Sequence, residues 1–95
     1  MYFALFYDTI DNYVERRLPY RAAHLAHAAR AEHEGRLLLG GAFDPADRAL
    51  LVFRTETREE VEEFARNDPY VRNGLISRWE VRSWNVVIGS LIANP

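Results

Sequence analysis

The sequence predicts an α+β fold whose elements follow the order β-α-β-β-α-β. Three observations lead to this prediction. Four short segments are rich in aromatic and aliphatic residues and have the length of strands. Two segments carry the capping signals and apolar spacing of helices. A Pro-containing turn joins the second and third strands directly, which indicates a hairpin.

The first half of the chain is predicted to form a strand and a long helix. Residues 2–7 are almost all aromatic or aliphatic, which indicates a strand that is apolar on both faces. A polar connection, residues 8–17, leads to Pro19, which suits the first turn of a helix. The helix is predicted from Pro19 to Glu34, and Gly35 follows it as a C-terminal cap.

A hairpin is predicted in the middle of the chain. Residues 37–43 form its first strand, and the paired glycines Gly40 and Gly41 indicate a bend or a close approach to the backbone. The turn lies at residues 44–47, and residues 49–54 form the returning strand.

The last third of the chain is predicted to contain a second helix and a fourth strand. Thr57-Arg58-Glu59-Glu60 is a capping box that opens a helix ending near Arg66. A short helical turn at residues 69–73 precedes a long strand from Ile76 to Ile88. The complete order is the split β-α-β arrangement of ferredoxin-like domains, with a four-stranded antiparallel sheet and both helices on one face.

Composition excludes several kinds of protein. The 95 residues predict one domain, with a core of about residues 1–89 and a C-terminal tail at residues 90–95. There is no cysteine, so disulfides, thiol nucleophiles and Cys-ligated metals are excluded, and nothing indicates an oxidising compartment. The net charge of −2 argues against nucleic-acid binding. With no signal-like or membrane-spanning start, we expect a soluble, cytoplasmic protein that does not bind membranes.

The strand patterns predict a homodimer. Residues of the first and third strands are apolar on both faces, but the two helices can cover only one face of the sheet. A chain of this length also buries a modest part of its surface by itself. We therefore expect two copies to pack sheet against sheet.

All three histidines lie on the first predicted helix, so their directions decide what they can do. The apolar stripe of that helix is predicted to consist of Leu18, Ala22, Leu25 and Ala29. His24 then lies at the edge of the stripe, one turn after Arg21, whereas His27 points to the opposite side and His33 to the other edge. Three histidines so arranged cannot share one metal ion, and none is predicted.

The remaining candidates each allow a structural interpretation. Asp68 before Pro69 is typical of an N-cap and first residue of a helical turn, although a capping carboxylate can still reach a second partner. His24 in a purely structural role would be a half-buried histidine that donates to a carbonyl. Trp79 and Trp84 are by default core or interface anchors.

Several motifs together carry a family resemblance that spans nearly the whole chain, from the first strand to about Gly89. They are Arg21-x-x-His24-Leu25, Gly35, Gly40-Gly41, Asn67-Asp68-Pro69-Tyr70 and Trp84. In this order and spacing, the chain resembles the YciI-like, or YCII-related, domain family. Members of the family often have Gly-Pro after the second strand, whereas this chain has Gly41-Ala42.

The resemblance implies a dimeric α+β barrel built from ferredoxin-like subunits. It also implies a histidine and an aspartate that line a pocket near the dimer interface as a catalytic pair, and by motif these are His24 and Asp68. Asp68 would hold the imidazole, and His24 would move a proton to or from a bound substrate.

Substrate-binding residues are expected around this pair. Arg21 would orient an anionic or phenolic oxygen. The other substrate-binding candidates are Phe6, Tyr7, Gly41, Tyr70 and Trp84. We expect a lyase, isomerase or dehalogenase-like enzyme that acts without a cofactor on a small aromatic or enolic substrate. The alternative is a non-catalytic module that binds a small metabolite or supports a partner domain, with the His–Asp pair in a structural role.

Overall fold

The computed structural model describes residues 1–90. The elements in chain order are β1 (Tyr2–Thr9), α1 (Tyr13–Arg16), a 3₁₀ turn (Leu18–Tyr20), α2 (Arg21–His33), β2 (Leu37–Ala42), β3 (Arg48–Arg54), α3 (Arg58–Asn67), α4 (Pro69–Arg72) and β4 (Ile76–Trp84). The strands form one antiparallel sheet in the spatial order β2-β3-β1-β4. The predicted α+β, ferredoxin-like fold is therefore confirmed. Of the predicted tail, residues 91–95 lie outside the described part of the chain.

The core lies between the helices and one face of the sheet. From β1 it takes Phe3, Leu5 and Tyr7, all almost completely buried, because alternate residues of a strand point to the same face. The α3 helix contributes Val61 and Phe64, which lie three residues apart and so share one helix face. Burial of these large side chains is the main contribution to the stability of the fold.

The predicted capping box at the start of α3 is present. The Thr57 side chain accepts from the backbone N–H of Glu60, and the Glu60 carboxylate accepts from the backbone N–H of Thr57. These two bonds satisfy donors that the first turn of a helix leaves without partners. They fix the point at which α3 begins.

The predicted orientation of the first helix is wrong. Leu18 and Leu25 of the predicted buried stripe are 68% and 48% exposed, and Ala22 and Ala29 are exposed as well. The inward face instead consists of Ala31, which is buried, and the half-buried His24, His27 and Ala28. Because α2 is rich in alanine, its hydrophobic pattern is weak. The two leucines therefore led to the wrong assignment of the helix face that packs against the core. Part of the polar connection is also helical, since α1 lies within it.

The last strand is shorter than predicted. It ends at Trp84, whereas the apolar pattern predicted strand to Ile88. Trp84 pairs with Tyr2, the first residue of β1, so the neighbouring strand offers no residue for further pairing. Val87 and Ile88 are consequently exposed.

The sheet face opposite the helices, called here the open face, is apolar on its central strands. The apolar residues of the open face on β1, β3 and β2 are Ala4, Phe6, Leu39, Leu50 and Val52. The β4 strand instead presents Arg78, Glu80 and Arg82 on this face, followed by Trp84. No helix within residues 1–90 combines the length and the apolar character needed to cross a membrane.

Candidate active site

Asp68 is at the centre of the candidate site. It lies between α3 and α4, where the extended backbone of Asp68 ends one helix and Pro69 begins the next. Its carboxylate is completely buried and has three hydrogen-bond donors around it. One donor is the backbone N–H of Tyr70, which bonds to Oδ1 at 2.9 Å, so the predicted N-cap is present.

The Tyr7 hydroxyl is the second donor to Asp68. It donates to Oδ2 at 2.8 Å, across 61 residues of sequence. Burial raises the pKa of Tyr7 far above its usual value, and the Asp68 carboxylate raises it further. The phenol therefore keeps its proton over the physiological pH range and acts only as a donor to Asp68.

His24 is the third donor. Its Nδ1 lies 2.8 Å from Asp68 Oδ1, and its ring stacks on the ring of Tyr70 with centroids 3.7 Å apart and planes 5° from parallel. A carboxylate can only accept, so the hydrogen is assigned to Nδ1. In the neutral ring Nε2 then carries the lone pair, and it has no hydrogen-bond partner among the described residues. Asp68 therefore serves both as the N-cap of α4 and as the hydrogen-bond partner of His24.

A cavity of about 360 Å³ lies beside His24, between α2 and the β2 edge of the sheet. Its lining is Tyr7, Tyr13, Arg17, Arg21, His24, Leu25, Ala28, Ala29, Glu32, Leu37, Leu38, Leu39, Gly40, Gly41, Ala42, Ala49 and Leu51. Most of these side chains are small or apolar. Leu25 and Ala29, which were predicted to face the core, instead face this cavity.

The polar rim of the cavity is formed by residues before and at the start of α2. Arg21 donates to the Tyr70 hydroxyl at 3.3 Å, and Tyr70 packs edge-on against Tyr13 with ring centroids 5.7 Å apart. The guanidinium of Arg17 lies over the Tyr13 ring, 5.2 Å from its centroid. Burial raises the pKa of Tyr13, while hydrogen bonding with Arg17 and, to a smaller extent, the charges of Arg17 and Arg21 oppose that shift. Sequence reasoning missed Tyr13 and Arg17, which are four residues apart and so share one face of a helical turn.

The structure brings most of the predicted site residues together. Tyr7, Arg21, His24 and Gly41 line the cavity, and Asp68 and Tyr70 contact His24 from behind.

Phe6 and Trp84 do not lie at the cavity. Phe6 alternates with Tyr7 along β1, so it points to the open face, where Arg48 lies over its ring at 5.1 Å. Trp84 is on β4, at the sheet edge opposite to β2, and is 47% exposed. Neither residue lines the cavity of a single chain, so their role in substrate binding stays a prediction.

The other two histidines occupy different environments. His27 was predicted to be solvated, but its Nε2–H donates to the Phe64 carbonyl at 3.0 Å and its ring stacks on Phe64. His33 is exposed, as predicted. Within residues 1–90, no group of three or more His, Asp or Glu side chains is arranged to hold a metal ion.

Comparisons with known proteins agree with this architecture. The family model of the YCII-related domain matches residues 1–85. An uncharacterized protein of Haemophilus influenzae is 32% identical over 85 residues, covering 79% of this chain and 87% of that protein. The structure is also similar to 5-chloro-2-hydroxyhydroquinone dehydrochlorinase from Burkholderia phenoliruptrix in complex with 2,5-dihydroxybenzoquinone, with a TM-score of 0.76, 24% identity, and coverage of 90% of this chain and 94% of that one. The chain therefore belongs to the YCII-related domain family.

Proposed function

We propose that this protein is a small-molecule enzyme that moves a proton between His24 and a substrate bound in the cavity. The reaction class is that of a lyase, an isomerase or a dehalogenase-like enzyme. One observation carries the proposal: a histidine in a cavity wall has its Nδ1 bound to a fully buried aspartate, which leaves Nε2 for a ligand. This is the arrangement that positions an imidazole for acid–base catalysis.

The proton transfer follows from these hydrogen bonds. Nε2 of neutral His24 accepts a proton from a hydroxyl or an acidic C–H of the substrate, and the ring becomes an imidazolium. Asp68 stays ionised and stabilises that charge through the Nδ1–H bond. The imidazolium then returns the proton from Nε2 to a different atom of the substrate or to a leaving group. Tyr7 and the Tyr70 N–H keep the carboxylate in place during both steps.

A small aromatic or enolic substrate fits the cavity best. The cavity volume of about 360 Å³ is close to the smallest volumes of small-molecule pockets, roughly 300 Å³. Apolar side chains form most of the wall, and Arg21, which also lines the cavity, would orient an oxygen of the substrate. The dehydrochlorinase with the similar fold binds a dihydroxybenzoquinone, a molecule of this class.

Substrate discovery with a matched variant tests the proposal. The purified protein is incubated with a metabolite extract, and mass spectrometry follows which compounds disappear and which products appear. We expect a change in the mixture with the wild type and with His33→Gln, which alters an exposed histidine of the same helix. His24→Gln should lose the change, because glutamine cannot take up a proton.

Two outcomes would contradict the proposal. If His24→Gln and Asp68→Asn converted the discovered substrate at the wild-type rate, the pair would have only a structural role. If a compound bound saturably but gave no product, the protein would be the non-catalytic binding module that is the alternative.

We also propose that the protein is a homodimer that buries the open face. No helix within residues 1–90 covers the apolar residues of β1 and β3 on that face. Ala4 and Val52 are nevertheless buried there, whereas Phe6 and Leu50 are half-buried and Leu39 is 52% exposed. A second copy supplies a complementary surface by symmetry. Sedimentation velocity should show a dimer for the wild type and for Leu18→Asp, which alters an exposed leucine away from the open face. Leu39→Asp should weaken the dimer, because it introduces a charge on the open face. A wild type that is monomeric at micromolar concentration would refute the proposal.

A further inference from the structure

Two guanidinium groups line the same cavity as His24. Arg17 follows α1, and Arg21 begins α2. Neither arginine forms an ion pair with a carboxylate among the described residues. Two positive charges without a carboxylate partner repel each other when they line one cavity. The Asp68 carboxylate lies behind His24, but its hydrogen bonds go to Tyr7, His24 and the Tyr70 N–H and not to either arginine. A bound anion would compensate the repulsion between the arginines.

The hydrogen bonding of Arg17 is incomplete as well. Its Nε is buried and has no hydrogen-bond partner among the described residues. Buried polar atoms of this kind are rare in folded proteins and need an explanation. An acceptor oxygen of a ligand would satisfy Nε once the Arg17 side chain shifts to expose it, since arginine side chains match the two oxygens of a carboxylate.

A chain of aromatic contacts connects both arginines to His24. Arg17 lies over Tyr13, Tyr13 packs against Tyr70, and Tyr70 stacks on His24. Arg21 donates to the Tyr70 hydroxyl and precedes His24 by one helical turn.

Glu32 is the acidic residue among the side chains that line the cavity. It is exposed and lies eleven residues after Arg21, which is about 16 Å along the helix axis. At that distance, beyond a Debye length at physiological salt, its charge is largely screened from the arginines. Among the residues that line the cavity, positive charge is therefore concentrated where α2 begins, near His24, while the buried Asp68 carboxylate lies behind His24 and outside that lining.

We propose that Arg17 and Arg21 form an anion-binding site, and that the substrate is a small aromatic or enolic acid with a carboxylate or an ionised enol oxygen. This inference rests on the proposed function, because it places the anionic group beside the proton-transferring Nε2. Arg21 alone was a candidate from the sequence; the second guanidinium restricts the substrate to an anion.

Calorimetric titration with three related probes tests the inference without requiring turnover. Hydroquinone is neutral, 2,5-dihydroxybenzoate adds a carboxylate to the same ring, and 2,5-dihydroxybenzoquinone has ionisable enol oxygens. We expect each anionic probe to bind the wild type at least tenfold more tightly than hydroquinone does. The relative affinity of the two anionic probes distinguishes a carboxylate from an enolate substrate.

Variants connect the preference to the arginines. Arg17→Gln should weaken the anionic probes by roughly 10- to 100-fold, the worth of one charge-assisted hydrogen bond, and leave hydroquinone unchanged. Arg17→Lys should restore part of the affinity, because it keeps the charge but not the fork of donors. Arg30→Gln, on an exposed part of α2, should bind like the wild type. Thermal unfolding shows that each variant is folded.

Four results would overturn the inference. The first two are equal affinity for neutral and anionic probes and no binding of any probe. The other two are an Arg17→Gln variant that keeps the preference and inorganic phosphate that binds as tightly as the aromatic anions. The proposed function has a separate test, since a proton-transferring His24 remains compatible with each of these results.

Discussion

Replacing Asp68 tests the hydrogen-bond arrangement on which the site depends. In Asp68→Ala the Tyr7 hydroxyl and the Tyr70 N–H lose their acceptor while they stay buried. Each unsatisfied buried donor costs about 1–3 kcal/mol, and removal of a buried charge returns part of that cost. His24 is partly accessible to solvent and adds little. We expect a loss of about 3–4 kcal/mol, a large share of the roughly 5–15 kcal/mol of a typical domain.

The matched variant Asp68→Asn keeps the shape of the side chain. Its amide oxygen can still accept from Tyr70 and His24, and its NH₂ group can donate to the Tyr7 oxygen, so we expect a loss of only about 1–2 kcal/mol. Urea unfolding at a fixed protein concentration measures both values. Asp47→Ala, at an exposed turn, serves as the control and should change stability by less than about 0.5 kcal/mol. The reasoning fails if Asp68→Ala is no less stable than Asp68→Asn.

Three further predictions test other parts of the structure. Because the pKa of Tyr7 is raised in the folded state, the phenol stabilises the fold below its ordinary pKa of 10.0, and this stabilisation is lost as the pH rises above that value. Between pH 9 and 11 the free energy of unfolding of the wild type should therefore fall more than that of Tyr7→Phe. An equal fall for both proteins in urea unfolding would refute this. Thr57→Ala should lower the free energy of unfolding by about 1 kcal/mol, whereas Thr57→Ser should not, and equal values would contradict the role of the capping box. If α2 has the orientation described, Ala31→Leu should lower the free energy of unfolding by about 1–3 kcal/mol through overpacking, and Leu25→Ser should lower it much less. The reverse order in thermal unfolding would support the orientation predicted from the sequence.

The strands could be predicted because their composition alone marks them. Residues 2–7 and 49–54 are so apolar that no other assignment suits them, and their pairing follows from the fold. The capping box at Thr57 fixes one end of a helix in the same local way. Local signals of this kind need no knowledge of the rest of the chain.

The orientation of α2 could not be predicted, because contacts from distant elements determine it. His24 is held by Asp68 and His27 by the Phe64 carbonyl, and these partners lie 44 and 37 residues away. Periodicity on an alanine-rich helix contains no information about such contacts. Trp84 was predicted to lie at the site for a similar reason: a motif match does not report which edge of the sheet a strand occupies.

The site itself was predicted in part. The motif identified His24 and Asp68 as a pair, and the structure places their side chains in contact. The hydroxyl of Tyr7 and the guanidinium of Arg17 escaped notice as polar groups of the site, because an aromatic residue in a strand and an arginine in a polar connection are common for structural reasons alone. Only the three-dimensional arrangement shows that Tyr7 donates to Asp68 and that Arg17 lines the same cavity as His24.

The tautomer of His24 tests the central claim most directly. Long-range ¹H–¹⁵N NMR spectra of the wild type, recorded at a pH where the ring signals show the neutral imidazole, report which nitrogen carries the hydrogen. We predict Nδ1–H for the wild type, with Nε2 unprotonated and available for proton transfer, and a mixture of tautomers for Asp68→Ala. A wild-type ring with its hydrogen on Nε2 would contradict the claim that Asp68 prepares His24 as a base.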